Sequence, residues 1–420
     1  MRFGKQEAFV GDLFVELAQA DETARARIRC AFVSTNSITQ GEQVGVLWSE
    51  LFRQGVRIHF AHRTFKWSNE APGKAAVHCV IIGFGIGEPA QARLFDYVEL
   101  AGEPHEIKSA RINPYLVDGP EVVLPNRKEP ICATPVVSYG SFALDDGHYT
   151  LSADDHTELI KESPNAALYV RPFIGGQELI RGEQRWCLWL KDAAPADISR
   201  IEPIRRRVEA VRAWRAKSGR ETTRKLAETP ALFAEIRQPK TNYLAFPTVS
   251  SERRRYIPIA FLTPNIVASN QLYIVPNATS YHFGILTSTM HMAWMRAVCG
   301  RLKSDFRYSA GIVYNNFPWP SRPVPAGKAE AAIEAAAQAV LDARAAHPGS
   351  TLADLYNPNA MPDDLYRAHK VLDRAVDAAY VADGGKKIWA DDAERVGFLF
   401  QRYAALTSLL GEMPTRVDAL

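Results

Sequence analysis

Apolar and polar positions along the chain follow three regimes. Up to about residue 84 they switch between helical and strand periods. Residues 12–20 place apolar side chains at helical spacing and predict a short amphipathic helix. Residues 28–33 form a short apolar run ending in Ser34-Thr35-Asn36-Ser37, which predicts a buried strand entering a polar loop. A helix is predicted over 42–53, with Val46, Leu47 and Leu51 on one face and Gly55 as its stop. Residues 56–61 and the β-branched run 77–84 predict two more strands, separated by a polar turn at 68–74. Strand, helix, strand, hairpin, strand is the second half of an α/β sheet with an antiparallel pair at one edge. Three strands and one full helix are too narrow to bury both faces. The pattern therefore predicts a missing first half, or a partner that completes the sheet.

Beyond residue 106 the pattern turns irregular. Prolines recur, and the strand-like runs at 167–170, 256–262 and 271–275 are short. A basic helix is predicted over about 203–227 and an apolar one over about 280–298. A Pro/Gly linker at 320–327 then leads into an Ala-rich helix ending near residue 346. Leu365, His369, Leu372, Val376 and Ala379 recur at helical spacing, as do Val396, Leu399, Phe400 and Tyr403. Asp391 or Asp392 is placed to cap the last of these helices.

A length of 420 residues suggests two or three domains. No run approaches the roughly 18 uncharged apolar residues of a membrane helix. The opening Met1-Arg2-Phe3-Gly4-Lys5-Gln6-Glu7 lacks the apolar core of a secretion signal. Cys30, Cys79, Cys132, Cys187 and Cys299 are scattered, with no zinc-type spacing, which predicts reduced thiols in a cytoplasmic protein and no bound metal. The net charge of +3 hides an asymmetry. Residues 201–260 carry fourteen basic and six acidic side chains, a local +8 against −5 for the remainder. Such an excess fits a polyanionic partner, or else a solvated helix face.

Several long stretches occur in an order that resembles the MmeI-like family of adenine-specific DNA methyltransferases, from about residue 27 to 410. One is Ala31-Phe32-Val33-Ser34-Thr35-Asn36-Ser37-Ile38-Thr39-Gln40-Gly41-Glu42-Gln43-Val44. Another is Ile58-His59-Phe60-Ala61-His62-Arg63-Thr64-Phe65-Lys66-Trp67, followed by residues 74–84. Further matches are Arg301-Leu302-Lys303-Ser304-Asp305-Phe306-Arg307-Tyr308-Ser309, residues 314–320 and residues 365–373. The resemblance implies a partial Rossmann-like α/β methyltransferase sheet over 1–105. It also implies an α+β target-recognition domain over 106–322 and a small helical C-terminal domain over 323–420. It further implies S-adenosylmethionine as methyl donor, double-stranded DNA as partner and a bacterial restriction-modification system.

The family's Phe-x-Gly-x-Gly donor loop and its Asn/Asp-Pro-Pro-Tyr/Phe motif should both precede Ala31. No Pro-Pro pair occurs in the sequence. The expectation is a DNA-recognising part that is inactive alone and is joined by a missing N-terminal segment or a second chain. Gly83-Phe84-Gly85-Ile86-Gly87 after a strand offers an alternative, a permuted nucleotide-binding enzyme.

Among individual residues, the resemblance places Phe65 and Trp67 after the second strand, where one aromatic would stack on a flipped adenine. Packing against a neighbouring domain is the other reading of both. Asn36 and Ser37, at a strand's carboxyl end, are positioned to line that pocket or merely to end the strand. Arg205, Arg206, Arg207, Arg212 and Arg215 would meet phosphates along a helix. Arg253, Arg254 and Arg255, in a loop flanked by Lys240, Asn242 and Tyr243, are the expected base readers, since arginine can pair bidentately with guanine. Lys303 and Arg307 are further expected phosphate contacts. Asp96, Glu106 and Lys108 faintly resemble a nuclease metal site. His59 and His62, three apart in a strand, face opposite ways and cannot share a metal.

Overall fold

The computed structural model describes residues 29–67, 77–322 and 327–409. The helix expected over 12–20 and the turn over 68–74 lie outside these residues. The chain forms two compact units. One gathers residues up to Arg127, Ala297–Arg301 and those from Asp391 onward. The other comprises Lys128–Arg296 and Leu302–Ala390.

In the first unit, β1 (Arg29–Thr35) ends in a 3-10 turn, Asn36–Thr39, which leads into α1 (Glu42–Arg53). Then come β2 (Val56–Trp67), β3 (Val77–Ile86), β4 (Arg93–Tyr97) and β5 (Pro104–Lys108). They form one sheet in the order β1-β3-β2-β4-β5. Because β3 is antiparallel to both neighbours, β1 and β2 run the same way, and β4 is parallel to β2. The expected hairpin is present, but the sheet has five strands rather than three. β4 and β5 escape the apolar pattern because most of β5 is exposed and offers no alternation.

The buried face of α1 is Val44, Trp48 and Leu51, whereas Val46 is 71% exposed. The expectation for Val46 was therefore wrong. Trp48 decides the rotation, since its indole N–H donates to the Ile38 carbonyl at 2.9 Å while its ring is buried. The C-terminal helix Asp392–Leu409 belongs to this unit and buries Val396, Leu399, Phe400 and Tyr403. Asp391 caps it, accepting from the Glu394 N–H at 2.8 Å. Tyr115 stacks on Phe400 with ring centroids 5.2 Å apart.

The second unit holds two four-stranded sheets. One contains β6 (Ser138–Tyr139), β10 (Tyr243–Pro247), β12 (Ala260–Leu262) and β14 (Leu272–Pro276), in the order β12-β10-β14-β6. The other contains β7 (Thr150–Leu151), β8 (Val170–Ile174), β9 (Trp186–Leu188) and β13 (Val267–Ala268), in the order β13-β8-β9-β7. Every residue of β10 is buried, as suits a central strand. The short strands β11 (Val249–Ser250) and β16 (Asp305–Arg307) of this unit pair antiparallel; β15 (Gly300–Leu302) begins within the Ala297–Arg301 segment of the first unit.

The same unit carries helices α2 (Ala153–Glu162), α3 (Gly176–Arg181), α4 (Pro195–Arg200), α5 (Glu202–Ala216) and α6 (Glu221–Lys225), with Ile204, Val208 and Val211 of α5 in the core of the second sheet. The single basic helix expected over 203–227 is thus two, broken around Gly219. The helix expected over 280–298 is also two, α7 (Ser280–Leu286) and α8 (Thr289–Val298). Residues 164–169 form a 3-10 helix entered by Pro164, so the strand expected at 167–170 starts only at Val170. Then come α9 (Lys328–Ala345), α10 (Leu352–Leu355) and α11 (Asp363–Ala379). Leu365, His369, Leu372, Val376 and Ala379 are all buried, as their spacing predicts. Gly284 on α7 lets α9 approach, because a Cβ there would lie 2.8 Å from Ile333 Cγ2.

Candidate functional site

The carboxyl ends of the parallel strands β1 and β2 meet across β3. Cys79 on β3 pairs with Thr35 on one side and with Phe65 on the other. Asn36 spans the gap, its Nδ2 donating to Thr64 Oγ1 at 3.3 Å. Ser37 Oγ lies 2.8 Å from Thr35 Oγ1. Phe65 and Trp67 lie within β2 and not beyond it, because the strand runs six residues past its expected end. Phe65 is half-buried and stacks on Tyr97 of β4, with centroids 5.3 Å apart and planes at 27°. Trp67 is 47% exposed, 6.1 Å from Phe65. His62 stacks on Phe95 at 4.5 Å, and its Nδ1 lies 2.9 Å from the Tyr97 hydroxyl. Burial lowers the His62 pKa and raises that of Tyr97. The result is an aromatic row toward the carboxyl ends of β2 and β4, beside a polar turn. Tyr97 and Phe95 went unrecognised because β4 is short.

The glycine stretch Gly83–Gly87 is not a nucleotide loop. Residues through Ile86 lie in β3, with Gly83 paired to Ala31 and to Phe60. The Phe60 ring fills the space beside Gly83, where a Cβ would sit 1.9 Å from a ring carbon. Gly83 thus serves packing, and Gly87, at φ +78°, ends the strand in a turn. The permuted-enzyme alternative is overturned. Asp96 is ion-paired to Arg63 at 2.7 Å, and Glu106 accepts from Arg93 at 3.0 Å, so these acids are spent on partners. His59 lies 3.0 Å from the Gly87 carbonyl, away from His62 and its partners. Among the described residues no cluster of three or more His, Cys, Asp or Glu could hold a metal.

In the second unit, most arginines of α5 already have partners within the protein. Arg215 is fully buried and donates to the carbonyls of Ala143, Leu144, Leu226, Thr229 and Leu232 at 2.8–3.3 Å. Burial lowers its pKa, while Tyr149 and Asp145 favour its charge. It cannot meet a phosphate, so its expected role was wrong. Arg205 pairs with Glu202 and Glu209, Arg206 with Glu162, and Arg207 donates to the His148 carbonyl at 2.8 Å. Arg212 is exposed.

The turn after β11 differs. Arg253 and Arg255 are exposed, and Arg254 is half-buried. Desolvation lowers the Arg254 pKa, opposed by the nearby Asp305 carboxylate; Arg181 adds a like charge. Since Val249 pairs with Arg307 and Ser250 with Phe306, the turn faces the Lys303 bend that precedes β16. Lys303 is exposed, at φ +58°, and Arg307 is exposed on β16. Arg296 reaches the same turn, donating to the Arg255 carbonyl at 2.9 Å. Arg181 and Arg296 were missed because each stands alone in the sequence. Lys240 and Asn242 are exposed but precede Tyr243, at the opposite end of β10 from this turn. They do not flank it, as a five-residue extended strand spans about 16 Å. Tyr243 is buried, its hydroxyl donating to the Ile266 carbonyl at 2.6 Å.

The chain resembles known proteins along most of its length. Residues 6–96 match the family model of the MmeI DNA-methyltransferase domain, 118–321 that of the MmeI target recognition domain, and 325–411 that of the MmeI C-terminal domain. DNA methyltransferase A of Bacillus subtilis (strain 168) is 39% identical over 404 residues, covering 96% of this chain and 44% of that protein. A solved structure of the Type IIL restriction-modification enzyme MmeI in complex with DNA is 46% identical with a TM-score of 0.82, covering 92% of this chain and 50% of that one. The chain spans about half the length of these relatives. With its sheet, its mixed α+β unit and its C-terminal helices in the MmeI order, the chain belongs to the MmeI family of DNA methyltransferases.

Proposed function

We propose that the chain recognises a specific duplex DNA sequence as part of an adenine-specific, S-adenosylmethionine-dependent methyltransferase in a bacterial, cytoplasmic restriction-modification system. The observation that carries this reading is the exposed basic cluster Arg253, Arg255, Lys303 and Arg307, with Arg254 behind it, within the span matched by the target-recognition model. Lysine and arginine on phosphates release counterions and set register, while an arginine aimed into the major groove can select guanine. Similarity to a protein solved with DNA supports the same partner.

The aromatic row on β2 and β4 supplies the second half of the reading. Phe65 is the better stacking platform for an extruded base, because Tyr97 holds its ring half-buried and fixed. Asn36 and Ser37 would line the polar side of that pocket. Gly83–Gly87 offers S-adenosylmethionine no glycine loop, since residues through Ile86 are strand and the Phe60 ring packs against Gly83. We assign the donor loop and the adenine-amine motif to the larger protein represented by the relatives, in an N-terminal segment or a separate chain. These described residues then hold the duplex and the target base.

Binding of the chain to a pool of duplexes, titrated with salt, tests the first half. With about four phosphates neutralised, affinity should fall roughly a hundredfold between 50 and 200 mM salt. Affinity indifferent to salt over that range would end the DNA-binding reading. Labelled methyl donor, supplied with and without the N-terminal half of the Bacillus subtilis relative, tests the second. Incorporation by the chain alone would refute the division of roles.

A further inference from the structure

The arginine turn does not stand by itself. Its last residue, Arg255, and the segment after it are docked on α11 and its neighbours. The Arg255 guanidinium lies 5.0 Å from the centroid of the Tyr366 ring, and Lys370 Nζ lies 5.5 Å from the same centroid. One helical turn on, the buried Tyr256 ring stacks on His369, 4.0 Å apart and 15° from parallel. Asp373, a further turn along, accepts from the Tyr256 hydroxyl at 2.8 Å and from the Thr289 N–H at 2.7 Å. His369 Nε2 in turn lies 2.8 Å from the Tyr356 hydroxyl, and Arg344 donates to the Ile259 carbonyl at 2.6 Å. Residues 366, 369–370 and 373 lie on one face of a helix, spaced by three or four. Burial of Tyr256, with its hydroxyl tied to a carboxylate, fixes the backbone beside Arg255. The ring of Tyr366 then narrows where the guanidinium can point.

We propose that Tyr366 is a positioning residue for DNA reading, holding Arg255 through a cation–π contact so that α11 sets which base the turn accepts. This rests on the reading of the turn as a base-contacting element. A mobile arginine would meet any phosphate, whereas a pre-oriented one is confined to a single base edge, and ordering it in advance lowers the cost of binding. The C-terminal helices thereby become part of the recognition apparatus.

The test uses the full chain and a 30-base-pair duplex pool with a randomised centre, scoring how sharply selected sequences are enriched over the pool. Arg255→Ala should flatten the preference at one position about tenfold. Tyr366→Leu should flatten the same position about fivefold with the salt slope unchanged, and Tyr366→Phe, which keeps the ring, should restore it. In the Arg255→Ala background, Tyr366→Leu should add nothing. Melting temperature is followed throughout, to show that the Tyr366 variants stay folded. If Arg255→Ala leaves the preference intact, the base-reading role of the turn fails, and this inference with it. If Arg255→Ala flattens it but Tyr366→Leu does not, or acts equally in both backgrounds, only the positioning role is overturned.

Discussion

Helix α5 and the turn after β11 carry the two Arg-Arg-Arg runs of the chain, and the fold uses them in opposite ways. In α5, Arg215 is withdrawn completely, its guanidinium bonded to carbonyls of two chain segments, 143–144 and 226–232, while Arg205 and Arg206 are neutralised by Glu202, Glu209 and Glu162. In the turn, Arg253 and Arg255 face solvent beside Lys303, while the Asp305 carboxylate acts on the half-buried Arg254. A count of charges cannot separate these cases. What separates them is whether carbonyls or carboxylates sit within reach to spend the charge internally. A guanidinium has a fixed fork of five donors, so it can tie irregular chain together as well as bind a phosphate.

The sharpest way to break the contrast is Arg215→Ala. Removing a buried cation that satisfies five carbonyls should cost about 3 kcal/mol or more, because those acceptors lose their partners without gaining water. For a unit of this size that lowers the melting temperature by about 6–12 °C. Arg215→Lys should rescue little, since an ammonium offers three donors from a single point. A melting temperature within about a degree of the parent's would show that the hub is dispensable. The next largest effect belongs to the turn. Replacing Arg253, Arg254 and Arg255 together with alanine should leave the melting temperature nearly unchanged yet weaken duplex binding roughly ten- to a hundredfold at low salt. It should also reduce the slope of log affinity against log salt by about one to two. Unaltered binding would return the turn to ordinary surface charge.

Sequence pattern revealed most where one face of a regular element carries the core. The spacing Leu365, His369, Leu372, Val376, Ala379 anticipates the buried stripe of α11 without error, and the run 77–84 anticipates β3. It revealed least where a side-chain hydrogen bond or a neighbour in space decides. The indole of Trp48 rotates α1 away from Val46, and the Phe60 ring converts a nucleotide-like glycine run into packed strand. β4 and β5 were invisible because a shallow hairpin at a sheet edge buries too little to imprint an alternation. The aromatic candidate site was legible at Phe65 and Trp67, but their stacking partner Tyr97 needed β4 to be seen first. The separate basic site was legible as a charge excess, and only the structure divides that excess between scaffold and surface.

The same contrast extends to buried histidine. Arg215 keeps its charge inside because carbonyls surround it. His291 is wholly buried, with the Tyr308 hydroxyl 3.0 Å from Nε2, and burial pushes its pKa down to about 3. A folded-state value below that of the unfolded chain means the unfolded chain takes the proton first. Stability is then full above pH 6.5 and is lost as the pH falls from 6.5 toward 3. His282, pushed down to about 4 for the same reason, adds to the trend. The melting temperature should therefore drop between pH 7 and 5, and less steeply in His291→Phe. An identical pH profile in that variant would remove His291 from the account.

The smallest effect is expected at Arg205 and Arg206, and that smallness is informative. Both lie on the solvent side of α5, with carboxylates one turn away on the same helix or on α2. Exposed pairs of this kind contribute little to stability, because solvent and salt screen them and the side chains lose freedom on pairing. A phosphate would also have to compete with the carboxylates already in place. Double replacement by alanine should leave the melting temperature and the salt slope of duplex binding indistinguishable from the parent's. A clear fall in the slope would mean that DNA strips these arginines from their partners, and that the interface runs along α5 as well as the turn.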